Sequence, residues 1–190
     1  MSINAGNLQK GQYIFHNNEI WQVQQTSFYS PGKGAALMKT KLKNIKTGKV
    51  LAYTYKSNEP VEPIDIETKE LQYLYKDADY LYFMDEISYE QVQLNTAVVG
   101  NLANYFKEGD KLAVLIYDGE PINLRPPKSV KLKVVEAEEG TKGNTMTAPK
   151  KNVKMETGIT LLAPLFIKVG DIISINPETG EYLSRAGAED

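Results

Sequence analysis

Hydrophobic and polar residues alternate along most of this chain of 190 residues. Alternation with a period of two is typical of β-strands that bury one face. In the first third it predicts strands at 13–15, 21–28, 36–42 and 50–55. Helical spacing is clearest at Val99, Leu102 and Phe106, which predicts a helix over 96–107. The pattern therefore predicts an all-β protein that carries short helices near its middle.

Two proline-marked segments divide this pattern into three regions of similar length. We interpret 59–63 as a linker and 125–127 as a second boundary, because proline disfavours the interior of a strand. Three small β-barrel domains are therefore expected, at residues 1–64, 65–127 and 128–190. The strand spacing in the second and third regions resembles OB-type barrels, although strand counts alone do not separate these from other small barrels.

A lysine between two glycines lies at the tip of the first predicted hairpin. Pro31, Gly32, Lys33 and Gly34 separate the strands at 21–28 and 36–42. Proline fixes its own φ angle, and glycines permit backbone angles closed to other residues without placing side chains beside the lysine. The sequence therefore predicts a hairpin that presents one ammonium group at its tip.

Charge is distributed unevenly, although the net charge is only −2. Residues 20–58 hold seven lysines and no Asp or Glu, so this segment carries +7 and the rest of the chain −9. Within it, Lys39, Lys41 and Lys43 fall on one face of a predicted strand, about 6.6 Å apart. Such a row suits a sugar–phosphate backbone. An ordinary solvated strand face explains it equally well on this evidence alone.

The sequence does not favour enzymatic chemistry. It has no cysteine and a single histidine, His16, which excludes thiol catalysis, disulfides and a histidine cluster for a metal. The Gly32-Lys33 pair lacks the preceding glycine and following hydroxyl of a phosphate-binding loop. No Gly-x-Ser-x-Gly element is present. We predict a binding protein with no catalytic residue, no metal and no cofactor.

Nothing in the sequence predicts export or membrane insertion. The first residues lack a basic segment followed by an apolar one, as a signal peptide requires. The longest apolar run, 161–167, is interrupted by Pro164 and is too short to span a bilayer. We therefore expect a cytoplasmic protein, and we expect it to be a monomer.

Five aromatic residues of the second region could either stack on nucleic-acid bases or pack inside the protein. OB folds often stack nucleic-acid bases on aromatic rings. This region, however, holds five basic and twelve acidic residues, and so it repels phosphate. We therefore predict that these rings pack in the core or between domains rather than against bases. The five are Tyr73, Tyr75, Tyr80, Tyr82 and Phe83.

Over essentially its whole length the chain resembles bacterial elongation factor P. The loop 31–34, followed by Ala36 and the pair 41–42, resembles the tip of that family's first domain. Residues 74–91 resemble its second domain and residues 151–170 the signature of its third. Residues 180–185 match its C-terminal end. The order and spacing of these matches make the resemblance specific, unlike any one motif alone.

The resemblance implies an SH3-like (KOW-type) domain followed by two OB-fold domains. It also implies binding to the ribosome between the peptidyl and exit sites, beside peptidyl-tRNA and ribosomal RNA, and relief of stalling at consecutive prolines. Lys33 matches the tip position that many members lengthen covalently, commonly by β-lysylation. A lysine-modifying enzyme is therefore an expected partner.

Further contacts to RNA are implied residue by residue. Lys39 stands where arginine is frequent, and Asn144 stands where an aspartate often lies in a loop thought to approach the exit-site codon. Tyr182 and Arg185 match the end that contacts tRNA in relatives. Two alternatives remain: a paralogue with another stalling specificity, which often carries arginine at the tip, and an OB-type protein that binds single-stranded RNA.

Overall fold

The structure is a computed structural model that describes residues 2–139 and 149–188. Antiparallel strands dominate it, as the alternating pattern predicts, and they form three sheets. Contacts divide the chain into two compact units. The first comprises residues up to 69 together with 114–123, and the second comprises 70–113 together with the residues from 124 onward.

Six strands form the first sheet, in the order β1-β6-β2-β3-β4-β5. Its core is formed by one face of each long strand, with Ile14, Val23 and Leu42 fully buried. The strands are β1 Ile3–Asn4, β2 Tyr13–His16, β3 Glu19–Tyr29, β4 Leu37–Asn44, β5 Val50–Lys56 and β6 Pro60–Ile64. A 3₁₀ turn, Ala5–Asn7, follows β1.

The predicted linker at 59–63 is wrong, because residues 60–64 form strand β6. Pro60 pairs with Asn4 of β1, and Pro63 pairs with Ile14 of β2. In the described residues, β1 covers only the first two positions of β6 and β2 only the last three. Each proline thus has one side without a paired strand, so its missing N–H need not remove a ladder hydrogen bond.

Five strands form the second sheet, in the order β11-β10-β7-β8-β9. They are β7 Glu67–Lys76, β8 Tyr80–Met84, β9 Gln91–Asn95, β10 Lys111–Tyr117 and β11 Glu120–Arg125. The third sheet has the order β14-β13-β12-β15-β16. Its strands are β12 Val130–Ala137, β13 Lys150–Met155, β14 Thr160–Pro164, β15 Asp171–Asn176 and β16 Glu181–Ala188.

The predicted helix over 96–107 is shorter than expected. Helix α1 spans only Thr96–Val99, and a 3₁₀ segment, Gly100–Asn104, continues it. Asn95 caps α1 by accepting a hydrogen bond from the Ala97 amide, whereas Gly100 adopts φ +64° and ends the α-helix. Phe106 is buried although it lies beyond both segments, so its spacing reflects packing and not helical continuation.

The alternation of Leu71, Tyr73 and Tyr75 in the sequence predicts that all three share one face of a strand, and this prediction is wrong for Tyr75. A register shift between Tyr73 and Tyr75 in the β7–β8 pair acts as a bulge. Leu71 and Tyr73 are buried, but Tyr75 is 55% exposed. The extra residue turns the tyrosine to the outer face, because a shift of one position reverses the side-chain direction in a strand.

Candidate nucleic-acid interface

Strands β3 and β4 form the antiparallel hairpin that carries the predicted tip. Their register runs from Trp21 opposite Asn44 to Tyr29 opposite Leu37, and residues 30–36 connect the two strands. The sequence folds this way because alternate residues of β4 enter the core: Met38, Thr40 and Leu42 are buried. The hairpin therefore holds the loop at the end of a well-anchored strand pair.

The tip presents Lys33 to solvent, flanked by glycines that have different roles. Gly34 adopts φ +113°, a conformation that side chains disfavour, whereas Gly32 adopts no left-handed angle. A Cβ added at Gly32 would meet nothing within 4 Å. The expectation of special backbone angles therefore holds for Gly34 alone. Gly32 keeps the space next to the lysine open, beside the half-buried ring of Pro31.

The three lysines of β4 lie exposed on the outer face of the first sheet. Their side chains alternate with the buried residues of the same strand, as the sequence pattern predicts. The cross-strand neighbours are small, amide or apolar and none is acidic: Ser27 and Thr54 flank Lys39, Gln25 and Ala52 flank Lys41, and Gln22 and Val50 flank Lys43. This strand therefore presents a row of three cations, which we call the lysine ladder.

The ladder keeps its charge available. Among the ion pairs formed by residues 2–139 and 149–188, none includes Lys33 or a ladder lysine. The Lys39 ammonium lies 5.3 Å from the centroid of the Tyr29 ring, within the range of a cation–π contact. Sequence reasoning missed Tyr29, which becomes a diagonal neighbour of Lys39 only once the hairpin register is known.

A shallow groove of about 460 Å³ lies beside Lys39 and Lys41 of the ladder. Its floor is mostly small or amide side chains, so the ammonium groups are the charged features that an entering molecule meets. Phosphate groups are the natural complement of such a surface. The lining residues are Gln25, Ser27, Lys39, Thr40, Lys41, Val50 and Ala52.

An aromatic cluster around His16 supports the same sheet. The Tyr55 hydroxyl lies 2.8 Å from His16 Nδ1, and the Trp21 indole N–H donates to the His16 carbonyl at 3.1 Å. The Tyr53 ring packs on the imidazole with centroids 4.5 Å apart. Burial lowers the pKa of His16, an effect opposed by Glu59, and burial raises the pKa of Tyr55. The neutral imidazole is thus favoured.

The other predicted contact residues lie in the second compact unit, where they also serve the fold. Arg185 Nη2 lies 2.9 Å from Asp171 Oδ1, and the Asp171 side chain is only 5% exposed. The same carboxylate accepts a hydrogen bond from the Lys168 amide. Tyr182 packs against the hydrophobic core of the third sheet. Arg185 is 47% exposed and carries further N–H donors besides the one paired with Asp171.

Asn144, the predicted contact near the exit-site codon, lies outside the described residues. Within the described ranges, no group of three or more His, Asp or Glu side chains is arranged to hold a metal ion. No helix in that part of the chain is both long and apolar enough to cross a membrane.

Known protein-domain families match nearly the whole chain. Residues 4–61 match the elongation factor P KOW-like domain, residues 66–124 match the elongation factor P OB domain, and residues 130–185 match the elongation factor P C-terminal domain. These matches confirm the expected sequence of fold types. The domain boundaries at 64 and 127 stay a prediction.

Relatives of nearly equal length share two fifths or more of the sequence. Elongation factor P of Caldicellulosiruptor saccharolyticus is 43% identical over 183 residues, which cover 96% of this chain and 99% of that protein. The protein of the same name from Caldicellulosiruptor bescii is 44% identical with the same coverage. That of Moorella thermoacetica is 41% identical and covers 97% and 100%.

Solved structures that resemble the fold are more distant in sequence. One is described as eukaryotic translation initiation factor 5A from Methanococcus jannaschii, with a TM-score of 0.53 and 21% identity. It covers 64% of this chain and 90% of its own. A protein of that family from Naegleria fowleri has a TM-score of 0.50 and 19% identity, with 66% and 95% coverage. At such identities the likeness concerns the fold alone.

Proposed function

The chain belongs to the elongation factor P family of translation elongation factors, and from this premise we propose that it binds the ribosome beside peptidyl-tRNA and promotes peptide-bond formation at consecutive prolines. The observation that carries the proposal is the position of Lys33 at the tip of the β3–β4 hairpin. Lys33 is exposed and forms no ion pair among the described residues, and β4, the second strand of this hairpin, carries the lysine ladder. A cation at the tip and cations along the arm fit an RNA acceptor end.

The proposed mechanism is positioning. Proline restricts the backbone geometry of the reacting ends, because its ring fixes φ. The ladder contacts phosphates, and the tip holds the acceptor end in a reactive pose. The factor thus lowers the entropic part of the barrier and takes no part in bond making. Residues 31–34 carry no carboxylate, imidazole or thiol that could act as a general base in peptide-bond formation.

We propose that Lys33 Nζ is the acceptor of an acyl group of the β-lysyl type. The amine attacks an activated carboxyl carbon, an amide bond forms, the activating group leaves, and the nitrogen loses one proton. The open space at Gly32 and the exposure of Lys33 fit access by a modifying enzyme. The accurate mass of the peptide that contains Lys33, isolated from the native host, tests this step directly. An unmodified mass would overturn it.

Reconstituted translation of a message with three consecutive prolines tests the function. Factor from the native host relieves the stall, and we expect Lys33→Ala to slow the proline steps by about tenfold or more. Lys46→Ala is the matched control, because Lys46 is also exposed but lies in the turn that follows the other end of β4. Messages without proline runs should be translated at the same rate with the native factor, with Lys33→Ala and with Lys46→Ala. Full relief by Lys33→Ala would contradict the proposal.

Binding assays separate this function from the single-stranded RNA-binding alternative. The proposed factor should bind ribosomes that carry peptidyl-tRNA more tightly than it binds free single-stranded RNA, and the cationic surface lies in the first compact unit. We also propose that it acts as a monomer in the cytoplasm. Equal affinity for bare RNA would favour the alternative.

A further inference from the structure

The outer face of strands β7, β8 and β9 exposes a tyrosine stack that the proposed function does not use. The Tyr75 and Tyr82 rings lie 4.6 Å apart with an interplanar angle of 25°, and the Tyr80 ring lies 6.5 Å from Tyr82. Tyr75 is 55% exposed. The prediction of core packing is therefore wrong for Tyr75, although it is confirmed for Tyr73 and Phe83, which are buried.

Asp77 fixes one end of the stack and adds a negative charge. Its Oδ2 accepts a hydrogen bond from the Tyr82 hydroxyl at 2.8 Å, and its Oδ1 accepts from the amides of Asp79 and Tyr80. These hydrogen bonds, that of the Tyr80 amide first, lower the pKa of Asp77 and keep it ionised. The neighbouring Lys76 ammonium donates to Asn104 instead.

The side chains next to the tyrosines along β8, β9 and the facing part of β7 are uncharged. By the register of the three strands, the side chains that share it with the tyrosines are Met84 and four amides: Gln72, Gln91, Gln93 and Asn95. None of these is basic, and the region 65–127 carries a net charge of −7. A phosphate backbone would find no cation among these side chains, whereas a basic partner would find rings and a carboxylate.

We propose that the Tyr75–Tyr82 stack with Asp77 binds an arginine side chain of a basic protein partner. A guanidinium is planar, stacks on aromatic faces and donates N–H groups to a carboxylate. The exposed face of Tyr75 offers the ring, and Asp77 Oδ2, which accepts only the Tyr82 hydroxyl, keeps a further lone pair. Lysine fits less well, because its ammonium is more strongly hydrated and cannot stack.

The bulge between Tyr73 and Tyr75 is what builds this surface. Without the extra residue, Tyr75 would follow Leu71 and Tyr73 into the core. Because of the bulge, the Tyr75 ring instead stacks on the Tyr82 ring and is exposed to solvent. Bulges of this kind commonly redirect a side chain towards a functional surface.

Nuclear magnetic resonance with the full chain tests the proposal. The probe is the blocked peptide Gly-Gly-Arg-Gly-Gly, compared with the same peptide carrying lysine or uncharged citrulline, and with a uridine pentanucleotide. We expect the arginine peptide to shift the ring resonances of Tyr75 and Tyr82 saturably. Tyr75→Leu and Asp77→Asn should each weaken this binding about two- to fivefold.

Matched variants distinguish recognition from damage to the fold. Tyr75→Phe keeps the ring and should bind as the unaltered chain does. Tyr89→Leu removes another tyrosine, 72% exposed, that lies outside the stack, and should leave binding unchanged. The same shifts with citrulline, or saturable binding of the pentanucleotide but not the arginine peptide at these rings, would overturn the proposal. So would the absence of any saturable shift.

Discussion

At the scale of single residues, the environment of His16 differs from that of an ordinary strand histidine. Its imidazole accepts or donates one hydrogen bond with the Tyr55 hydroxyl and packs against Tyr53 and Trp21. Burial disfavours the charged imidazolium, and only Glu59 opposes this among the causes of the pKa shift. The sequence alone does not predict this aromatic surrounding.

The lowered pKa of His16 predicts acid sensitivity of the first compact unit. The unfolded chain binds the proton near pH 6.5, whereas the folded chain binds it only at lower pH. Above about pH 6.5, protonation of His16 therefore does not reduce the free energy of unfolding. As the pH falls from 6.5 through the lower pKa of the folded state, the unfolded chain binds the proton more readily and the free energy of unfolding decreases. Urea unfolding at several pH values, followed by the fluorescence of the single tryptophan, Trp21, measures this.

The control is His16→Gln, which keeps a hydrogen-bond acceptor for Tyr55 and cannot titrate. We expect the variant to lose the part of the pH dependence that lies between neutral pH and the folded pKa. An identical slope in both proteins would assign the acid sensitivity to carboxylates and contradict the role given to His16.

At the scale of elements, the ion pair between β15 and β16 is the clearest test of what holds a strand in place. Asp171 begins β15 and is nearly buried, and Arg185 lies in β16. We expect Arg185→Ala to lower the free energy of unfolding by about 1–3 kcal/mol, because it leaves a buried carboxylate short of one partner. Urea unfolding measures it.

Arg185→Lys should restore part of the loss, and Lys131→Ala, an exposed lysine of the same sheet, should cost little. If Arg185→Ala is as stable as Lys131→Ala, the pair contributes nothing to the fold. The tRNA contact proposed for Arg185 should therefore be tested under conditions in which each variant is fully folded.

The elements also show which predictions a period of two supports. The alternation of β4 correctly predicts that Met38, Thr40 and Leu42 are buried and that the lysines between them are exposed, because one face of the strand must enter the core. The same reasoning fails for Tyr75, since one extra residue in β7 reverses the direction of every side chain after it. The sequence prediction also fails for β6, because its two prolines predict a linker although the segment forms a strand.

At the scale of the whole molecule, the charge segregation predicts how ribosome binding depends on salt. Each cation that contacts a phosphate releases condensed ions, so replacing Lys39, Lys41 and Lys43 together by glutamine should reduce the slope of log K against log salt by about 2. Sedimentation with ribosomes carrying peptidyl-tRNA, at several salt concentrations, gives this slope.

The matched control replaces Lys46, Lys49 and Lys56 by glutamine. These lysines belong to the same acid-free segment and are exposed, but they lie off the ladder, and the change in net charge is the same. We expect a smaller reduction in slope. Equal reductions would mean that only net charge matters, and that the ladder is an ordinary solvated strand face.

The sequence by itself determines the class of the fold, the family and the position of the tip. These follow from local features: alternating residues, a lysine between glycines, and motifs in order along the whole chain. It also determines the charge of each region, because charge depends on composition alone.

Tertiary structure alone decides which residues meet. It decides that Tyr29 lies beside Lys39 and that Arg185 pairs with Asp171. It also decides that Gly34, and not Gly32, needs a backbone angle special to glycine. It turns Tyr75 outward onto Tyr82, through one bulge. The physical reason is register: which residues face each other depends on pairing between distant strands, and a single inserted residue changes it without altering the local pattern.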